Sequence, residues 1–261
     1  MFARALRLVF SLLLSLAVVS PGVAAPSDAD LLAMLQTLDD RQQNNGDYKA
    51  LVYIEQKQRD KADLVYQAVV YRRDVDDKLA ILFLKPQAEA GKGYLRIDRN
   101  LFFYDPTVGK WERRTERERI GGTGSQRSDF DESRLAQEYT PSYVAEETLG
   151  QFTVDRLLLT AKEGTDVAYP RVELWLDQAT GNALKRQDFA LSGRLMRTQY
   201  TPSWQKLYSE SKGADVYFPK EIRIFDEIEA GTSTTVVFQD VDLSVLEESL
   251  FTKAWMESKS R

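Results

Sequence analysis

The sequence predicts an α+β protein dominated by antiparallel β-strands, and three observations carry that expectation. Apolar and polar residues alternate through one run after another. Turn-forming clusters such as Arg59-Asp60-Lys61, Asp105-Pro106-Thr107-Val108-Gly109 and residues 177–182 separate those runs at hairpin spacing. Helical periodicity is confined to a few segments. A generous count gives about eleven strands and three or four helices. No linker is long enough to divide the chain, so one domain is expected over residues 25–261.

Residues 1–24 read as a signal peptide. Arg4 and Arg7 stand ahead of an apolar run from Leu8 to Val19, and Gly22-Val23-Ala24 supplies small residues for cleavage. The apolar run is short for a membrane span. Without this segment, 33 basic residues face 40 acidic ones, a net charge of about −7. That balance argues against nucleic acid and against simple adhesion to anionic lipid.

The remaining chain begins with a helix expected over residues 27–44. Ser27 and Asp30 form a capping box with aspartate in place of glutamate. Leu31, Leu35 and Leu38 make an apolar stripe at helical spacing, and Asn44-Asn45-Gly46 ends it. The stripe suits either an ordinary packed helix or a lid closing a cavity. Strands are then expected at 48–58, 63–73, 79–85, 93–98 and 101–104, with another starting at Trp111. In 63–73 both faces are apolar, Leu64, Tyr66, Ala68 and Val70 on one and Val65, Val69 and Tyr71 on the other. A sheet with one wet face alternates more cleanly, so this pattern fits a curved sheet with a lined interior and a covered exterior.

Residues 92–135 hold the middle of the chain, where one run of strands ends and the chain must cross to the next. The segment is glycine-rich at Gly121-Gly122-Thr123-Gly124-Ser125, the place of greatest expected backbone freedom. A helix is expected over 131–138 and a helical or irregular piece over 141–148. Strands resume at 151–161, 169–177, 183–191, 194–201, 215–225 and 232–242. Alternation puts Val172, Leu174 and Leu176 opposite Arg171, Glu173 and Asp177, with Trp175 on the polar side. It likewise separates Ile222 and Ile224 from Glu221 and Arg223, and Val236 and Phe238 from Val237 and Gln239. A short helix or turn around 246–255 ends the chain.

Candidate chemistry is sparse. The chain has no cysteine and no histidine. This excludes disulfides, lipidation at cysteine, Ser–His and Cys–His catalysis and ordinary zinc sites. Ser203–Lys206 and Ser209–Lys212 match S-x-x-K, but that motif needs a helix and both copies lie in β-rich sequence. The glycine-rich segment lacks the lysine-serine or lysine-threonine ending of a phosphate loop. Asp129, Asp131 and Glu132 lack the spaced oxygen ligands of a calcium loop and read as a polar helix start. No cofactor and no metal are expected.

What remains is apolar strand surface carrying many of the 4 Trp, 12 Tyr and 12 Phe. Such surface is either plain core or the lining of a hydrophobic-ligand cavity. A 16-carbon acyl chain gains about 12 kcal/mol on leaving water, at ~0.8 kcal/mol per CH₂, so it needs a shield to cross an aqueous compartment. If the cavity reading holds, alternation nominates Leu64, Tyr66, Val172, Leu174, Leu176, Ile222, Ile224, Val236 and Phe238 as its lining. Leu31, Leu35 and Leu38 are then the lid contacts.

Lys92-Gly93-Tyr94-Leu95, Leu101-Phe102-Phe103-Tyr104-Asp105-Pro106, Arg113-Arg114 and Ser128-Asp129-Phe130 resemble the outer-membrane lipoprotein-sorting proteins, in their LolA-like branch. Tyr217-Phe218-Pro219-Lys220-Glu221-Ile222, Val236-Val237-Phe238-Gln239-Asp240-Val241 and Phe251-Thr252 extend the resemblance over residues 28–257. The resemblance implies an unclosed antiparallel β-barrel of about eleven strands with helices forming a lid over an apolar cavity. It implies a non-enzymatic, monomeric periplasmic carrier that shields acyl chains of a lipoprotein or lipid between inner and outer membranes. Its partners would be that cargo, an inner-membrane transporter and an outer-membrane acceptor, with no nucleic acid. Two other classes stay open: a non-catalytic accessory subunit of an envelope transporter, and a histidine-free lipid hydrolase.

Overall fold

The computed structural model describes residues 25–43, 46–98, 100–115, 118–126, 129 and 133–260. The expected signal peptide lies outside these residues, as do Asn44, Asn45, Ser128, Phe130, Asp131 and Glu132. Helix α1 (Asp28–Gln43) starts at the expected capping box. The Ser27 hydroxyl accepts from the Asp30 amide at 3.3 Å, and the Asp30 carboxylate accepts from the Ser27 amide at 2.9 Å. Leu31, Leu35 and Leu38 are buried, while Leu32 on the other side of the stripe meets solvent.

Thirteen strands follow: β1 (Tyr48–Lys57), β2 (Leu64–Arg73), β3 (Lys78–Lys85), β4 (Gly93–Ile97), β5 (Asn100–Asp105), β6 (Lys110–Arg114), β7 (Tyr139–Leu149), β8 (Phe152–Ala161), β9 (Arg171–Asp177), β10 (Ala183–Phe189), β11 (Leu195–Ser209), β12 (Ala214–Asp226) and β13 (Ser233–Asp242). All belong to one sheet, ordered β6-β5-β4-β3-β2-β1-β13-β12-β11-β10-β9-β8-β7. Every neighbouring pair is antiparallel. The β6 and β7 edges do not pair, so the sheet is unclosed, as expected.

The expected count of about eleven is corrected to thirteen. Twelve of the thirteen fall at stretches expected as strands, one more than the stated count, and the other, β7, lies in the stretch read as helical or irregular over 141–148. Proline is excluded from central strands because it cannot donate to the ladder, but Pro141 lies on an edge strand, which has no second ladder to lose. A register shift between Tyr143 and Ala145 further breaks this edge. The helix expected over 131–138 is, among the described residues, one turn, α2 (Leu135–Glu138).

Two layers cover the sheet. The chain end forms a 3₁₀ turn (Glu248–Phe251) and helix α3 (Lys253–Lys259), close to the expected place. Phe251 and Met256 bury Ala80, Leu82 and Leu95 on the convex face. Gly93 lies beneath α3, where a Cβ would come within 2.5 Å of the Ile81 carbonyl and 2.8 Å of the Met256 sulfur. On the concave face, α1 packs against β7 to β9 through Leu31, Leu35, Leu38, Leu157, Leu159, Val172 and Leu174. On β2 the face carrying Tyr66, Ala68 and Val70 is buried, whereas on the other face Tyr71 packs under α3 and Val65 is 57% exposed, so the exterior is covered at one end of the strand only. Helix α1 sits directly on the sheet.

Leu35 is fully buried at the centre of that contact. Leu35→Ala should destabilise the protein by about 2–5 kcal/mol, read from the midpoint of urea unfolding.

Candidate functional site

Directly paired residues in a sheet share a face, so the register identifies what the concave side presents. One row runs Tyr143–Leu157–Leu174–Arg186–Gln199–Ile224–Thr234–Gln56–Leu64 across nine strands. The next runs Pro141–Leu159–Val172–Asp188–Arg197–Asp226. Both rows begin apolar and turn polar at β10 and β11. The concave face therefore holds two apolar clusters with a polar belt between them.

All twelve residues nominated from the sequence lie on or over this face, eleven of them in two groups. Val172, Leu174 and Leu176 meet Leu31, Leu35 and Leu38 in one cluster. Tyr66 and Val236, with Leu64, Ile222 and Phe238 partly buried against them, belong to the other. Ile224 lies at the belt, buried, beside Thr234.

The belt is built on a carboxylate between two guanidinium groups. Asp188 is fully buried and accepts from Arg186 and Arg197, both at 2.7 Å. Burial opposes its charge, but the two arginines outweigh burial and hold the carboxyl below the usual carboxylate range. Arg197 also reaches Asp129 through two nitrogens, at 2.5 and 3.2 Å. It thereby ties the central segment to the sheet.

That segment is packed onto the concave face, despite its glycines. Ile120 is buried in the cluster with Tyr66 and Val236. The Gly121 amide donates to the Tyr94 hydroxyl at 3.3 Å. Burial pushes that phenol up to about 12, so it remains an uncharged partner. The Gly124 amide donates to Gln56 Oε1 at 2.9 Å and to Thr234 Oγ1 at 2.8 Å. A Cβ at Gly124 would fall 2.6 Å from Thr234 Oγ1, so close approach of backbone requires glycine here. Arg119 adds a surface ion pair to Asp226 at 3.4 Å.

A family model described as "Uncharacterized protein" matches residues 75–258. The chain belongs to that family. Its fold is LolA-like, as three solved structures show. A LolA superfamily protein from Nitrosomonas europaea is 21% identical, with a TM-score of 0.68 over 86% of this chain and 98% of that one. A domain from Vibrio parahaemolyticus, described as an outer membrane lipoprotein-sorting protein, is 17% identical with a TM-score of 0.75 over 88% and 100%. A DUF1329 family protein from Desulfovibrio piger is 18% identical with a TM-score of 0.73 over 88% and 97%. No curated protein matches the sequence.

Within this LolA-like sheet the S-x-x-K matches have no helix to carry them. Ser203 and Lys206 stand three apart on β11, and so on opposite faces, with Lys206 paired to Asp215 at 3.2 Å. Ser209 ends the same strand, and its hydroxyl lies 3.4 Å from that of Ser211. Of the acidic cluster, only Asp129 is described, and it serves Arg197. Among the described residues no group of three or more His, Cys, Asp or Glu is placed to hold a metal ion. The belt residues Arg186, Asp188, Arg197, Gln56 and Thr234 were missed by sequence reasoning. Polar residues at alternate strand positions ordinarily face water, and only the register shows that these face inward.

Asp188→Asn should cost about 3 kcal/mol in urea unfolding at neutral pH, since it removes the buried anion shared by the buried Arg197 and the partly exposed Arg186. A carboxyl lowered on folding stabilises the native state above its unfolded pKa of 3.8 and loses that contribution as pH falls through the lower folded value. The wild type should therefore lose stability below about pH 4, and Asp188→Asn should show a flatter profile in that range.

Proposed function

We propose that this protein is a periplasmic carrier that shields the acyl chains of a lipoprotein or lipid in transit between inner and outer membranes. Residues 1–24 would direct export and be removed. The observation that carries the reading is a concave apolar face covered by a segment fastened largely through polar contacts. Among the described residues of 118–129, Ile120 is the buried apolar side chain, while Gly121, Gly124, Arg119 and Asp129 hold the segment by hydrogen bonds and ion pairs. A covering of this kind exchanges its contacts for water when it lifts. An acyl chain would then replace Ile120 against Leu64, Tyr66, Ile222, Val236 and Phe238. Lifting α1 would open the second group, Val172, Leu174 and Leu176, beneath Leu31, Leu35 and Leu38.

The LolA-like fold supports this reading. Among the described residues no helix is long and apolar enough to cross a membrane. Among the described residues the nominated side chains fall mostly in two packed clusters, and in this reading an acyl chain enters by displacing the side chains that cover them.

Native mass spectrometry of the protein isolated from its own cell envelope should show co-purifying lipid, and the delipidated protein should take up a fluorescent fatty acid. Absence of both would remove the carrier reading. Gly124→Ala gives a sharper test. Forcing a methyl against Thr234 should cost about 1–3 kcal/mol and loosen the covering segment. Uptake should then become severalfold faster in stopped-flow fluorescence. An unchanged or slower rate would exclude this segment as the gate.

A further inference from the structure

Beside the polar belt, a cavity of about 110 Å³ opens between the central segment and the ends of β11 to β13. A water molecule occupies about 30 Å³ of liquid, so the space suits a group of a few heavy atoms and not an acyl chain. Its wall is rich in both donors and acceptors: Arg119, Gln126, Tyr169, Asp226, Thr232 and Ser233. Thr232 is buried, and its hydroxyl has no hydrogen-bond partner. Its backbone is fully used, the amide donating to the Glu229 carbonyl at 3.0 Å and the carbonyl accepting from the Asp226 amide at 3.1 Å. Buried side-chain polar atoms are mostly paired, so a lone hydroxyl in a polar cavity wall marks a place for a ligand atom.

The charges narrow the ligand. Arg119 and Arg197 face the space, but Asp226 lies in the same wall and already pairs with Arg119, while Asp129 and Asp188 occupy Arg197. A bare anion would meet matched carboxylates, and a cation would meet matched guanidiniums. An uncharged group with hydroxyls satisfies both. Ile224 also lines the cavity, and on the same face Ile222 lies two residues along the strand, paired with Val236. A polar head placed here would send an attached chain onto the apolar cluster of β1, β12 and β13.

We infer that this cavity is the head-group subsite for an amphiphile whose head is compact, uncharged and hydroxyl-bearing, of about the size of glycerol. The inference rests on the carrier reading for the chain and adds the class of head.

The test is calorimetric titration of the delipidated protein with four probes: 1-monopalmitoylglycerol, methyl palmitate, 1-palmitoyl lysophosphatidate and free glycerol. Monopalmitoylglycerol should bind at least about tenfold tighter than methyl palmitate and than lysophosphatidate, the scale of one or two net hydrogen bonds. Thr232→Val, close in shape but lacking the hydroxyl, should narrow the ratio between the two uncharged esters about three- to tenfold. Arg119→Gln, at an exposed position, should narrow it also and serves if the valine variant folds poorly. Equal binding of the two uncharged esters, with a ratio that neither variant moves, would overturn the head-group site and leave the carrier reading standing. A preference for lysophosphatidate would overturn the uncharged head. Tight binding of free glycerol would detach the cavity from any lipid and overturn the inference. No binding of any palmitoyl probe would overturn the carrier reading, and this inference with it.

Discussion

The structure depends on one topological constraint. The first six strands build outward from β1 to one edge of the sheet, and the chain must then reach the opposite edge to begin β7. It returns strand by strand until β13 closes against β1. The connection between the two edges therefore has to pass across a face of the sheet, and it takes the concave one. A backbone laid over an apolar surface carries amides that need partners. Gln56, Tyr94 and Thr234 supply them, and the inward polar residues of the sheet follow from that need.

Most of the sheet was legible because the pleat writes itself into the sequence with a period of two. Twelve of the thirteen strands fall in or beside stretches whose alternation is plain, and Val172, Leu174 and Leu176 share a buried face as their spacing implies. The capping box at Ser27 and Asp30 was equally local and equally readable. What failed was β7. As an edge strand it buries only part of one face, and its alternation is broken where Val144 faces solvent beside a register shift between Tyr143 and Ala145. Helix and strand patterns cannot be separated on so weak a signal.

The belt was illegible for a different reason. Arg186, Asp188 and Arg197 acquire their meaning from one another across two strands, and from Asp129 in a segment 59 residues before Asp188 and 68 before Arg197. No window of sequence contains that relation. The glycine-rich segment shows the same limit. Its glycines looked like freedom, yet at Gly124 the missing side chain permits contact with Thr234.

The fastenings of the crossing segment are also doubled on the sheet side. Gln56 Oε1 accepts from the Gly124 amide and from the Thr234 hydroxyl, which belongs to the neighbouring strand. Arg197 holds Asp129 with one end of its guanidinium and Asp188 with Nε. If the segment departs, Gln56 keeps the Thr234 hydroxyl and Arg197 keeps Asp188, while the Tyr94 hydroxyl gives up the Gly121 amide. The buried carboxylate of Asp188 would still hold both of its arginines on the vacated surface. Departure thus breaks bonds between segment and sheet but leaves the Gln56–Thr234 and Asp188–arginine bonds within the sheet in place, so the sheet can be emptied and refilled as one body.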